Sequence, residues 1–476
     1  MYKKTKGQLL HDILSYSAKN AWKESPENVR EKAFSFCDKY KEFLNEAKTE
    51  RELTSAVIAE ATKNGFICID EIVNEGLPLM PGTKVYQQVN NKAVILGVIG
   101  KKPLERGFNI VGAHIDSPRI DLKQNPIYED SGIVLFKTHY YGGIKKYHWV
   151  TIPLALHGVL VNSNGEVIPI KIGEEDNDVV FTITDLLPHL AIDQMDKKMG
   201  EAICGEDLNL LIGSIPYDDD KVNEKFKLNI LKILNEKYNL IEEDFLSAEI
   251  EIVPAGKARD VGFDRSLIGA YGQDDRVCAY GAYKSLMDIS SPDKTCICIL
   301  VDKEEIGGVG NTGAIANLFR DFASQLYYYN TSDFNEISFN HCLRKSKMLS
   351  ADVNPAVDPT YEMVHEKRNA TYIGNGVVIQ KYTGVSGKLG GNDANAEYLG
   401  YIRKLFNDNR IIWQTGEIGK VDHGGGGSVA LFMANLGIDV VDSGIAILSM
   451  HSPFEVVSKI DIYYNYMANK VFYLSS

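Results

Sequence analysis

The sequence predicts a layered α/β protein interrupted by a β-rich insertion, and three features carry that expectation. Helical and strand-like patterns alternate at both ends of the chain, which is how helices come to cover a sheet. Between Pro118 and Pro254 the texture shifts to short alternating runs and turns, as in "SGIVLFKTHYYG", "HWVTIPLALHGVLVNSNGEVIPIKIG" and "VVFTITDLLPHL", a pattern suited to an antiparallel sheet. At 476 residues the chain also exceeds what one hydrophobic core usually serves. The expected organisation is a first α/β part over 1–117, an inserted β-rich domain over 118–254, and a second α/β part over 255–476.

Taken in order, the start "MYKKTKGQLLHDILSYSAKN" has basic residues but no long apolar core and no small-residue cleavage site. It reads as a helix and not as a signal peptide. Ser25-Pro26 opens the next helix, with Ser25 as N-cap and Pro26 at the first helical position. Val29, Ala33, Phe36, Cys37, Tyr40, Phe43 and Leu44 then recur at helical spacing. Thr49 to Glu52 is a capping box, and Asn64-Gly65 closes the helix it opens. Strands are expected at Lys92 to Ile99 and Phe108 to Ala113. Inside the insertion, the acidic stretch Asp218 to Glu224 reads as a loop. From Ala255 onward the helix and strand alternation returns, with no repeat or low-complexity tract.

Composition narrows the function classes. A hydrophobic share of 44% with 24% charged residues is ordinary for a globular chain. The formal charge of −13 argues against a nucleic-acid partner, which would call for a basic face, though it does not select acidic substrates. No apolar stretch approaches the roughly 20 residues of a membrane span. Seven scattered cysteines suggest reduced thiols and a cytoplasmic location. Cys296 and Cys298 in "TCICILV" fit a buried strand better than a metal clip.

Five apolar runs or turns stop at a carboxylate or an imidazole. "FNIVGAHIDSP" ends at His114 and Asp116, and "CICILVDKEEIGG" at Glu304 and Glu305. "KMLSADVNPAVDP" delivers Asp352, and "GIAILSMHSPFEV" delivers His451. Asp274 in "GAYGQDDRVCAYGAY" follows a Gly-bracketed turn before a helical pattern. Ligands in open α/β sheets collect outside the carboxyl ends of strands, so these five sites together read as the ligand set of a two-metal hydrolase. Neighbouring side chains diverge, so one of Glu304 and Glu305 can bind metal while the other faces substrate and moves a proton. Asp116 can orient the His114 ring by accepting its second N–H. Asp275 reads as the N-cap of the helix that follows Asp274. Asp352 is favoured over Asp358, which precedes Pro359 and reads as a turn residue. His451 is favoured over His423, whose four following glycines suggest close backbone approach to a substrate or a helix start. Two His, two Asp and one Glu suit zinc, with cobalt or manganese able to substitute.

The motifs "GAHIDSP", "QDDR", "DKEEIGG", "SADVNPAVDP" and "SMHSPFEV" occur in the order and approximate spacing of the aspartyl aminopeptidase / aminopeptidase I family, and the chain resembles that family over nearly its whole length. The resemblance implies a three-layer α/β catalytic domain around a mixed sheet, with the insertion as a dimerisation domain. It implies a two-zinc aminopeptidase with a bridging water, acting on the N-terminal residue of peptides. Carried over by motif, His114, Asp274 and Asp352 bind one zinc, while Asp274, Glu305 and His451 bind the other. Glu304 becomes the general base and Asp116 stands behind His114. The resemblance also implies a homo-oligomer built from dimers, up to a dodecamer, in which a histidine of the insertion serves a neighbour's site. "IPLALHGVL" offers His157 for that role. The segment "VVIQKYTGVSGKLGGNDANAEY" is only loosely like the family's substrate-binding part. Lys381 is the candidate there, and acidic and neutral N-terminal residues both stay open as substrates.

Two rivals stand beside this reading. The same metals could run a carboxypeptidase or amidohydrolase, which a substrate with an acetylated N-terminus would distinguish. A non-catalytic assembly or cargo protein could keep the fold, but it would have no physical reason to keep a costly carboxylate cluster.

Overall fold

The computed structural model describes residues 4–331, 334–427 and 429–476. A nine-stranded sheet forms its centre, in the order 67–68, 84–89, 93–98, 296–301, 109–114, 347–350, 439–444, 377–380 and 413–415. Its middle strands Cys296–Val301, Asn109–His114, Lys347–Ser350 and Asp439–Gly444 run parallel, whereas 93–98 and 377–380 join them antiparallel. Strands such as Ala93–Val98 and Cys296–Val301 are buried at every residue, as expected of a sheet covered on both faces.

Helices supply the covers. One face packs on Gln273–Met287 and Lys459–Tyr473, backed by Glu27–Glu46, Glu50–Lys63 and Ala396–Asp408. The other packs on Leu318–Thr331 and Glu336–Lys345. The result is a three-layer α/β body. A five-stranded sheet (259–261, 267–270, 455–458, 446–448, 354–355) lies beside it. Among the described residues no helix is long and apolar enough to cross a membrane.

Every strand of a separate seven-stranded antiparallel sheet lies between Arg119 and Pro254, in the order 167–172, 154–161, 249–254, 119–130, 133–141, 210–213 and 182–183. It has its own apolar core, centred on Trp149, Phe136, Leu210 and Ile252. The helix Lys225–Tyr238 packs on it, an element whose apolar stripe went unread in the sequence.

A buried seam of charges joins this sheet to the body at the start of the helix Glu50–Lys63. Lys48 Nζ lies 2.6 Å from Glu174 Oε1 and donates to the carbonyls of Pro254 and Gly256. Arg119 lies 2.8 Å from Asp121, 3.2 Å from Glu251 and 3.6 Å from Glu50. The capping box of Thr49 and Glu52 is present, and the same Glu52 reaches on to the insertion through His157.

Local expectations resolve as follows. The N-terminal helix spans Lys6–Leu14, and residues 1–3 of that stretch lie outside the described residues. Ser25 does not cap the next helix. Pro26 takes the N-cap position, while Ser25 ends the short helix Ala21–Glu24 and its hydroxyl pairs with Tyr464. All seven cysteines are free, and Cys296 and Cys298 are buried in their strand.

Candidate active site

The parallel strands set the site. His114 ends the strand Asn109–His114, Asp352 follows Lys347–Ser350, and Glu304-Glu305 form a short 3-10 turn after Cys296–Val301. The small sheet brings in the rest: Asp274 follows the strand Leu267–Ala270 and His451 follows Ala446–Leu448. Chain crossovers therefore converge five distant residues at the carboxyl ends of adjacent strands.

Asp274 sits in the middle. Its Oδ1 is 3.1 Å from His114 Nε2 and its Oδ2 is 3.2 Å from His451 Nε2. His114 Nε2 also lies 3.9 Å from Asp352 Oδ1, and His451 Nε2 lies 3.4 Å from Glu305 Oε1. Ligand-type atoms of His114, Asp274 and Asp352 all fall within 4.8 Å of one another, and so do those of Asp274, Glu305 and His451. A third such group is His114, Glu304 and Glu305. Glu305 Oε1 is buried with no hydrogen-bond partner, which is costly for a carboxylate oxygen unless a cation meets it.

Titration follows from crowding. Burial pushes the carboxyls of Glu305 and Asp352 well above the carboxylate range, reinforced by Asp274 and Asp275 respectively. Burial opposes charge on both imidazoles, yet their acidic neighbours outweigh it. His114 is held well above its ordinary value by Asp116 and Asp274, and His451 is raised to about 10 by Asp274 and Glu305. The oxygen-rich donor set with two imidazoles, and the orphaned Glu305 oxygen, fit zinc.

A second ring of contacts orients these groups. His114 Nδ1 lies 3.1 Å from the Asp116 carbonyl and 3.3 Å from its carboxylate. That carboxylate accepts the N–H groups of Glu304 and Glu305 and the hydroxyl of Tyr141. Glu455, unread in the motif "SPFEV", accepts the N–H of Asp274 at 3.0 Å and of His451 at 2.7 Å. Its only sequence signal was a lone acid in an apolar strand. Burial and Asp274 raise its carboxyl to about 8.

The helix Gln273–Met287 is broken at Asp274 and Asp275, whose backbone angles are non-helical. Its regular part therefore starts just after Asp275, which is fully buried and turned to Cys278, the place an N-cap takes. The Asp274–Asp275 peptide is cis. Three expectations are corrected. His157 cannot serve another subunit's site from this position. Its side chain is wholly buried, with Nδ1 2.8 Å from Glu52 and Nε2 2.9 Å from Glu174, so both ring nitrogens are taken by the seam. Lys381 is exposed, pairs with Asp393 at 3.1 Å, and lines a neighbouring cavity instead. His423 is exposed in a turn with Lys420, and the glycines after it, Gly425 to Gly427, line the site where its own ring does not. Asp358 is a turn residue, accepting the N–H of Thr360.

The cavity at the cluster measures about 500 Å³. It is lined by His114, Asp274, Glu304, Glu305, Asp352 and His451 together with the apolar Val353, Ile418, Leu431, Phe432 and Met450.

A three-layer α/β body with imidazoles and carboxylates gathered at its strand ends defines a metal-dependent hydrolase. Residues 43–473 match the aminopeptidase I zinc metalloprotease (M18) family, and the chain belongs to that family. It is 50% identical to the probable M18 family aminopeptidase 1 of Clostridium acetobutylicum, over 94% of this chain and 96% of that one. It superposes with a TM-score of 0.92 on the M18-family aminopeptidase of Thermotoga maritima, at 45% identity, covering 96% of this chain and 99% of that one. It also shares its fold, at 19% identity and a TM-score of 0.73, with the S. cerevisiae mApe1 dodecamer, over 94% of this chain and 99% of that one. The protein is therefore a zinc aminopeptidase.

Proposed function

We propose that the cluster binds two zinc ions that share Asp274, one through His114 and Asp352 and the other through Glu305 and His451, and that it removes the N-terminal residue of peptides. The observation that carries this reading is the pair of three-residue groups with Asp274 common to both. When bound, such ions lower the pKa of water and polarise the scissile carbonyl. Glu304, half-buried at the cavity wall with its carboxyl raised by burial, takes the proton of the attacking water and returns it to the leaving amine. Asp116 holds the His114 ring, and Glu455 fixes the backbone of Asp274 and His451.

Besides the ligands, Glu304 and several glycines, the cavity is lined by apolar side chains, and no lysine or arginine lines it among the described residues. It suits a neutral first side chain better than an acidic one. The excess of carboxylates suits a free α-ammonium group, which separates this reading from an amidohydrolase. A panel of single-residue chromogenic amides, each with a free and an acetylated N-terminus, tests both points. Cleavage should need the free amine and favour leucine over aspartate. Equal cleavage of acetylated substrates would overturn the aminopeptidase assignment.

The β-rich unit over 118–254 is our candidate for self-association into a homo-oligomer. Val179, Leu186, Leu190, Ile192, Met195 and Met199 expose apolar side chains along one segment of it, the kind of surface that marks an interaction site when it is contiguous. A mass measurement in solution should give a multiple of the 53.0 kDa chain. The seven free thiols, five of them buried, favour a reducing, cytoplasmic setting.

A further inference from the structure

We infer that Tyr141-Gly142-Gly143, at the end of a strand of the seven-stranded sheet, is a positioning clamp for both halves of the metal cluster. The inference rests on the two-zinc reading above. None of the five proposed ligands belongs to that sheet, yet this tripeptide touches the supports of both histidines.

One arm is Tyr141. Its hydroxyl donates at 2.8 Å to Asp116 Oδ2, which also accepts the Glu305 N–H at 3.2 Å. The other oxygen of Asp116 accepts the Glu304 N–H at 3.1 Å and lies 3.3 Å from His114 Nδ1. Asp116 is fully buried, so these contacts determine the plane of its carboxylate. Through it they set the His114 ring and the turn that carries Glu304 and Glu305. The Tyr141 ring is itself held, with the Arg119 guanidinium 3.9 Å from its centre. Arg119 pairs with Tyr141 in strand register and is tied to Asp121 and Glu251 of the same sheet.

The other arm is Gly143, whose carbonyl lies 3.0 Å from His451 Nδ1. A carbonyl can only accept, so this contact places the proton on Nδ1. Nε2, which faces Asp274 and Glu305, is then left with its lone pair for a metal. Between the arms, Gly142 turns at φ +72°, and a methyl there would stand 3.3 Å from Glu305 Cβ. Close approach to the cluster requires a glycine at that point. The seating of the seven-stranded unit thus sets how firmly the body's histidines are aimed.

The test is a zinc titration of the metal-free full-length chain against a competing chelator, with the melting temperature of the metal-free form measured alongside. Wild type should take up two ions. Tyr141→Phe keeps the ring over Arg119 and removes only the hydroxyl. It should weaken one binding step by about 10–100-fold, leave the metal-free melting temperature unchanged, and recover its kcat in excess zinc. Gly143→Ala places a methyl 3.3 Å from His451 Nδ1 and should weaken the other step. Wild-type affinity for both ions in both variants overturns the clamp, and so does a fall in metal-free stability large enough to explain the loss. Wild type binding fewer than two ions sinks the two-zinc reading and the clamp with it.

Discussion

At the start of the helix Glu50–Lys63, buried acids have cations within reach: Glu174 has Lys48, Glu52 has His157, and Glu251 and Asp121 have Arg119. Around Asp274 the balance is reversed. Asp116, Asp275, Glu304, Glu305, Asp352 and Glu455 crowd onto two imidazoles, and an oxygen of Glu305 has no hydrogen-bond partner. Each of the seam's acids has a cation of the chain within ion-pair distance, although Arg119 is shared by Glu50, Asp121 and Glu251 and both Glu50 oxygens lack a hydrogen-bond partner. The cluster is complete only with added positive charge. Buried acids therefore do not mark a site by themselves, and what separates the two regions is whether the chain supplies the compensating cations.

The largest expected effect falls on the uncompensated region. Glu304→Gln should lower kcat by about 10²–10⁴-fold while zinc content, measured by elemental analysis, stays at the wild-type level. Glu304 also lies within a ligand-like group with His114 and Glu305. Loss of an ion in Glu304→Gln, with both kept in Glu305→Gln, would exchange the roles of the two residues.

In the seam the expected damage is to stability and not to chemistry. His157→Phe leaves Glu52 and Glu174 facing an apolar ring, and breaking a buried pair typically costs about 3–5 kcal/mol. Chemical unfolding should show that loss, with kcat per folded, zinc-loaded chain unchanged. A fall of kcat in fully folded, zinc-loaded His157→Phe would restore the catalytic role that its burial argues against.

A smaller effect should appear with pH. Burial works against charge in this group, but Glu174 and Glu52 outweigh it and raise His157 above its ordinary 6.5. Its contribution is whole below that value and is lost as pH climbs through the raised one. Glu52 and Glu174 are lowered from 4.5 despite burial, chiefly by His157. Their contribution is whole above 4.5 and lost as pH falls through the lowered values. Metal-free stability should therefore hold between about pH 4.5 and 6.5 and decline on both flanks. His157→Phe should flatten the alkaline flank, and an unaltered flank in that variant would assign it to other groups.

The legibility of the two regions differed for physical reasons. His114, Asp352 and Glu304-Glu305 stood out because an apolar run that stops at a polar side chain is a local signal, and parallel strands align such stops at one edge. The β-rich texture of the insertion was equally local. Tyr141, Gly143 and Glu455 left no comparable trace. Tyr141 acts through one hydroxyl on Asp116, Gly143 through a backbone carbonyl, and Glu455 by accepting two backbone N–H groups. His157 misled because a lone strand histidine looks the same whether it is free or locked between acids 105 and 17 residues away. Lys381 and His423 sit near the glycine loops of the cavity in sequence, but both are exposed and neither lines it.

Zinc stoichiometry tests the contrast most directly. Metal-free protein titrated with zinc by calorimetry should bind two ions per chain, and Asp274→Asn should lose tight binding of both, because Asp274 belongs to both groups. One ion or none in the wild-type protein, or two tightly held ions in Asp274→Asn, would contradict it.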